Sequence, residues 1–153
     1  RFVFGNDDNK VAKELFHLGK VYEMKGEYDE AMHVYEETLR IERLTLGMNR
    51  RETVMTLFEI GQVYQNKGYH NKALMIYHDI LSIVKVVNDI EESSLVFILG
   101  EMVTIYIDIG NTEAAVKLYN EVTSTIELEN GNYTMNDIVG LAQIEDLLVN
   151  PPA

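Results

Sequence analysis

Apolar and polar positions along this chain fall into one pattern that is written three times. Leu15, Leu18 and Tyr22 are spaced i, i+3, i+7, which is one stripe of a helix. Ala31 and Tyr35, at i, i+4, form a stripe on a second helix. Gly26 stands between them, where a glycine breaks the helix and lets the backbone reverse. The pattern returns after 42 residues at Gly68, Ala73 and Tyr77, and after 42 more at Gly110, Ala115 and Tyr119. The first-helix positions keep the same step: Leu15, Leu57 and Leu99; Leu18, Ile60 and Met102; Tyr22, Tyr64 and Tyr106. A fixed period of this length is the mark of a repeat array. Each unit is predicted to be a helical hairpin. Glu27, Glu30, Glu36 and Glu37 fill the gaps of the second helix as its solvated outer face.

Composition narrows the class without changing it. The 153 residues are 46% hydrophobic and 25% charged, as in a globular chain, and the two prolines are Pro151 and Pro152. A proline-free run of 150 residues favours helix throughout. With no cysteine, disulfides, thiolate metal sites and cysteine nucleophiles are excluded. A reducing compartment suits that composition, and the expected location is cytoplasmic. No run approaches the ~20 apolar residues of a membrane span, since "SSLVFILG" ends at Glu101, so no membrane partner is expected. The start, "RFVFGNDDNK", has neither Met nor a signal-peptide pattern and reads as an internal cut from a longer protein.

The net charge of −12 is unevenly spread. Residues 1–72 hold 11 basic and 12 acidic side chains, whereas residues 73–153 hold 2 basic and 13 acidic ones. Phosphate binding needs a basic footprint, so nucleic acid is a poor partner, above all for the second half. The same polarity gives a bound ligand a preferred direction.

The residues at these positions, Leu–x–x–Leu–Gly–x–x–Tyr (Leu15 to Tyr22), then Gly26, Ala31 and Tyr35, resemble the tetratricopeptide repeat. The 42-residue step and the linker "TLRIERLTLGMNRRETVMTL", with Thr38, Leu39, Ile41, Leu46 and Gly47, resemble the kinesin light chain subtype. Leucine stands in the place of that family's tryptophan, and Val103 in the place of the glycine found at Gly19 and Gly61. The resemblance implies an all-α, right-handed α-solenoid of three helical hairpins plus a terminal helix. The repeats are expected at 10–51, 52–93 and 94–135. Residues 1–9 are read as the tail of a preceding repeat, because Arg1, Phe4 and Gly5 fall 42 before Arg43, Leu46 and Gly47. Residues 136–149 are read as a partial fourth repeat or capping helix that places Leu141, Ile144 and Leu148 in the stripe.

Candidate chemistry reduces to packing at most positions. The six in-register tyrosines are the bulky packing positions of the repeat. His17, His33, His70 and His78 lack metal-site spacing, and His70 takes the place of Tyr28 in the turn. "NDDNK" at 6–10 has carboxylates without calcium-loop spacing and is expected to be an inter-repeat turn. "NYT" at Asn132 matches a glycosylation acceptor, which matters only in a secreted protein. No phosphate-cradling loop, nucleophile elbow or paired carboxylate is present, so no enzyme, metal or cofactor is expected.

The positions not needed for packing carry the functional reading. The resemblance implies that the first helix of each hairpin lines the concave wall. Its inward face shows Lys13, Phe16, His17 and Lys20, then Met55, Phe58, Glu59 and Gln62, then Phe97, Gly100, Glu101 and Thr104 with Asp108. Val139, Ala142, Gln143 and Asp146 follow in the partial repeat. The expected site is a peptide-binding groove with apolar floor patches, basic at Lys13 and Lys20 and acidic at Glu101, Asp108 and Asp146. Phe16, Met55, Phe58 and Phe97 are equally open to a packing role between hairpins. Chaperone-binding members of the family clamp a carboxylate with lysine and asparagine; here the matching places hold Phe16, Lys20 and Glu59, so that clamp is not expected. Three functions remain: a protein or peptide-binding adaptor, a spacer or self-associating segment joined through exposed repeat ends such as Phe2 and Phe4, and a regulatory arm of an enzyme elsewhere.

Overall fold

The computed structural model describes residues 6–47, 50–84, 92–128, 145–146 and 148–150. It divides into two compact units, residues 1–89 and 90–153. The first holds α1 (Asn6–Met24), α2 (Tyr28–Thr45), α3 (Arg51–Asn66) and α4 (His70–Val84). The second holds α5 (Glu92–Asp108) and α6 (Thr112–Leu128). Among the described residues there are no strands, and no helix is long and apolar enough to cross a membrane.

Each first helix ends in the same hydrogen-bonded turn. Gly26, Gly68 and Gly110 adopt φ of 75°, 80° and 77°, the left-handed region a Cβ disfavours. Their N–H groups donate to the carbonyls of Glu23, Gln65 and Ile107. The next residues, Glu27, Tyr69 and Asn111, donate to Tyr22, Tyr64 and Tyr106. Those two bonds together are the Schellman closure of a helix, and it keeps the 42-residue register throughout. The second helices then pack back on the first: α1 on α2, α3 on α4, and α5 on α6.

Close approach within a hairpin rests on glycine facing tyrosine. A Cβ built on Gly19 would lie 2.4 Å from the Tyr35 ring, and one on Gly61 would lie 2.7 Å from the Tyr77 ring. Both rings are fully buried beside Ala31 and Ala73, which are themselves fully buried. The third hairpin solves the same contact differently. Val103 replaces the glycine, is itself fully buried with Ala115, and Tyr119 is left half-buried against that cluster together with Leu118 and Leu148.

Two expectations change. "NDDNK" is the first turn of α1, not an inter-repeat turn. Asparagine and aspartate suit that place, because they favour the positive end of a helix with its unsatisfied N–H groups. Leu18, expected in the packing stripe, is 41% exposed, whereas Ile60 and Met102 in its register are buried. Of the expected terminal helix, 145–146 and 148–149 are helical; Leu141, Ile144, Val139, Ala142 and Gln143 lie outside the described residues, as do Arg1, Phe2, Phe4, Gly5 and Asn132.

Candidate functional site

The inner side chains of α1 and α3 meet across the first two hairpins through one ion pair. Lys20 Nζ donates to Glu59 Oε2 at 2.9 Å, joining residues 39 apart in the chain. Glu23 Oε2 lies 3.7 Å from the same ammonium and accepts a bond from Tyr35 OH at 2.9 Å. The buried tyrosine, two carboxylates and one lysine therefore form a continuous network. Burial alone would lower the Lys20 pKa; the bond and charge of Glu59, with Glu23 adding to them, hold it above the usual lysine value. Burial raises the Glu59 pKa above the usual carboxylate range, and the Lys20 bond only partly opposes it. Tyr35 OH is held above the ordinary phenol range, first by burial and then by its bond to Glu23.

The second hairpin repeats the arrangement with neutral groups. Gln62 Nε2 donates to Tyr77 OH at 2.9 Å, and Tyr77 OH donates to Gln65 Oε1 at 3.0 Å. Gln62 and Gln65 stand 42 residues after Lys20 and Glu23. The tyrosine hydroxyl thus keeps a polar acceptor in both hairpins while the charge is dropped in the second.

The expected floor residues divide into two kinds. Phe16 and Phe58 are half-buried and tilt against Tyr35 and Tyr77 at ring-centroid distances of 5.8 and 5.9 Å. They pack first and line second. Met55 is 47% exposed, Lys13, which stands 42 residues before it, is exposed too, and so is His17, whose ring lies edge-on to Phe16 at 6.0 Å. In the second unit Phe97 is 56% exposed, Glu101 and Thr104 are half-buried, and Asp108 is exposed. Thr104 Oγ1 donates to the Gly100 carbonyl, which leaves no hydroxyl proton for a ligand there.

Sequence reasoning treated Lys20 as a free cation at a basic end, and the structure corrects this. Glu59 occupies it, and of the two expected cations Lys13 keeps the exposed position. The signal was present in the sequence, since both residues were placed on the inward face, but no local rule pairs side chains 39 apart.

Further polar ties cross between the first and second hairpins. Lys67 donates to Asp29 Oδ1 at the turn end. At the other end Thr53 Oγ1 donates to the Gly47 carbonyl at 3.1 Å, and Thr56 Oγ1 donates to Glu42 Oε2 at 2.8 Å. Glu42 is 5% exposed, and burial pushes its pKa up to about 7, with Glu52 adding to the effect and the Thr56 bond opposing it. Buried carboxylates, invisible to a search for paired acids along the chain, are what sequence reasoning missed here.

Comparisons with known proteins bear on the fold. The family model for the tetratricopeptide repeat matches residues 12–43. No curated protein sequence matches the chain. Among solved structures, the kinesin light chain-like, nearly identical TPR-like repeats from Podosopora anserina share 18% identity at a TM-score of 0.72, over 92% of this chain and 68% of that one. BtubC (BKLC) from P. vanneervenii shares 12% identity at a TM-score of 0.75, over 94% of this chain and 59% of that one. The Sgt2 TPR domain from Aspergillus fumigatus shares 18% identity at a TM-score of 0.59, over 93% and 85%. Residues 12–43 thus match the tetratricopeptide repeat, and the chain shares the all-α solenoid fold of the kinesin light chain-like repeats.

Proposed function

We propose that this chain is a non-catalytic protein-interaction module that takes a peptide segment of a partner on the inner face of its first helices. The observation that carries the reading is the surface shared by α1 and α3. Met55, Lys13 and His17 remain exposed on these helices, while the Lys20–Glu59 pair between them is already satisfied. Apolar anchors supply most of the binding energy at such surfaces, and charges chiefly set orientation and encounter rate. With Lys20 occupied, a ligand carboxylate has Lys13 as its partner in this unit, and the ligand is held mainly by apolar side chains against Met55. A location in the cytoplasm fits the same reading.

The structure also decides which variant tests it. Phe16 and Phe58 support the tyrosine rings, so changing them would confuse loss of binding with loss of packing. Met55→Glu combined with Lys13→Glu alters exposed groups alone. A peptide array probed with the intact chain identifies ligands, and the double variant is expected to weaken their capture at least about tenfold while the helical circular dichroism and melting midpoint stay unchanged. Capture that survives the double variant at full strength excludes this surface.

A further inference from the structure

The joint between the first and second hairpins is built around a carboxylate. Glu42, on α2, is 5% exposed, and its Oε2 accepts a bond from Thr56 Oγ1 on α3 at 2.8 Å. Thr56 is itself fully buried. The chain has an apolar solution for these two places, because 42 residues on the same register holds Val84 and Ile98. The repeat therefore requires no acid at this position, and the carboxylate is a feature of this one joint.

No cation answers it. Among the described residues the charge that acts on Glu42 is that of Glu52, one turn before Thr56 on α3, and it has the same sign. Lys20 and Lys67 cross the same joint, but they pair with Glu59 and Asp29. A buried carboxyl met by a single hydroxyl is stable there as the neutral acid, whereas the anion calls for water. Water reaches it when α3 lifts from α2. That contact can part by itself, because α1 packs on α2 and α3 on α4 within their own hairpins, and the hairpins meet only as neighbours.

We infer that the α2–α3 joint is a proton-controlled hinge: with Glu42 protonated the second hairpin docks on the first, and with Glu42 ionised the joint opens more often while both hairpins stay folded. Burial raises the docked carboxyl from 4.5 to about 7, so between those values the docked joint holds one proton more than the open one. Opening therefore becomes more frequent as pH rises across that span and levels off above it. Glu59, at the same joint, is also raised by burial, but Lys20 opposes that shift, and variants at Glu42 separate the two. The hinge is independent of the peptide-binding reading, since Glu42 lies between α2 and α3 and not among the inner-face residues.

The chain has no cysteine, so one introduced thiol reports opening at one place. Ile60 is 4% exposed on α3, against which α2 packs, whereas Leu18 in the same register on α1 is 41% exposed. Labelling of Ile60→Cys in the full chain, normalised to an unprotected thiol at the same pH, therefore reads the joint. Its rate is expected to rise by up to about tenfold for each pH unit from about 5 to about 7 and to change little beyond. Glu42→Gln, and Glu42→Val with Thr56→Ile, which copies the pair found 42 residues on, are each expected to shrink that rise at least about fivefold. Ala73→Cys, inside the second hairpin beside Tyr77, is expected to stay protected throughout. An Ile60→Cys rate that ignores pH, or that climbs as steeply in the Glu42 variants, overturns the hinge. Ala73→Cys accelerating in step with Ile60→Cys overturns it too, because the hairpin itself would then be opening.

Discussion

The glycine–tyrosine contact is where a single atom decides whether a hairpin closes. At Gly61 an added Cβ would sit 2.7 Å from Tyr77, whose ring is fully buried and hydrogen-bonded at its hydroxyl by Gln62 and Gln65. That ring has nowhere to move, so Gly61→Ala is expected to cost about 2 kcal/mol, the middle of the range for overpacking a core. Denaturant melts measure it, and Gly61→Ala with Tyr77→Leu should cost less than the sum of the two single changes, because the smaller side chain admits the methyl group. Additive costs would show that the contact is not what the glycine serves. The exception at Val103 was legible in the sequence as a departure from the glycine at Gly19 and Gly61, but that this glycine faces the tyrosine ring was not, because no local rule pairs positions on two helices. Nor was the consequence at Val103, a half-buried Tyr119, because it depends on what Leu118 and Leu148 can fill.

At the scale of helices, the first hairpin is fastened to the second by polar groups that the hydrophobic pattern does not reveal. The stripe of α3 was readable as Leu57 and Ile60, and both are buried. The carboxylates of Glu59 and Glu42 were not readable as interface residues, because glutamate on a helix is ordinarily a solvent-facing choice. Their placement follows from donors on the neighbouring helix: Lys20 for Glu59 and Thr56 for Glu42. Glu42 has no cation beside it among the described ion pairs, which makes its charge a cost. Its folded pKa of about 7 lies above the ordinary value of 4.5, so between those limits the folded chain binds the extra proton. This contribution to stability is present in full below about pH 4.5 and is lost as pH rises through about 7. Glu42→Gln keeps a hydrogen-bonding group and removes the charge. Its expected effect is a higher melting midpoint at pH 8, by up to about 3 kcal/mol in stability. Between pH 5 and 8 the pH dependence should be flatter than in the wild type. Parallel pH profiles for the two proteins would remove Glu42 as their source.

Taken as a whole chain, the molecule carries its negative charge where it carries least cation. Residues 73–153 hold 13 carboxylates against Lys85 and Lys117, while residues 1–72 are close to balance. Like charges crowded on one stretch oppose its folded state by self-repulsion, and added salt screens that repulsion within a Debye length of about 10 Å at 0.1 M. Repeat arrays respond to such a force locally, because each hairpin's stability is set by its own contacts and those with its neighbours. The two ends of this chain should therefore answer salt differently. In hydrogen exchange, raising ionic strength from about 0.05 to about 0.5 M is expected to slow exchange in α5 and α6 several-fold. In α1 and α2 salt screens attraction as well as repulsion: the exposed Arg40–Glu37 and Lys25–Glu27 pairs weaken as the residual repulsion eases. Protection there should shift little. Equal slowing along the whole chain would mean that salt acts through hydrophobic burial, which both units share, and not through the asymmetry of charge.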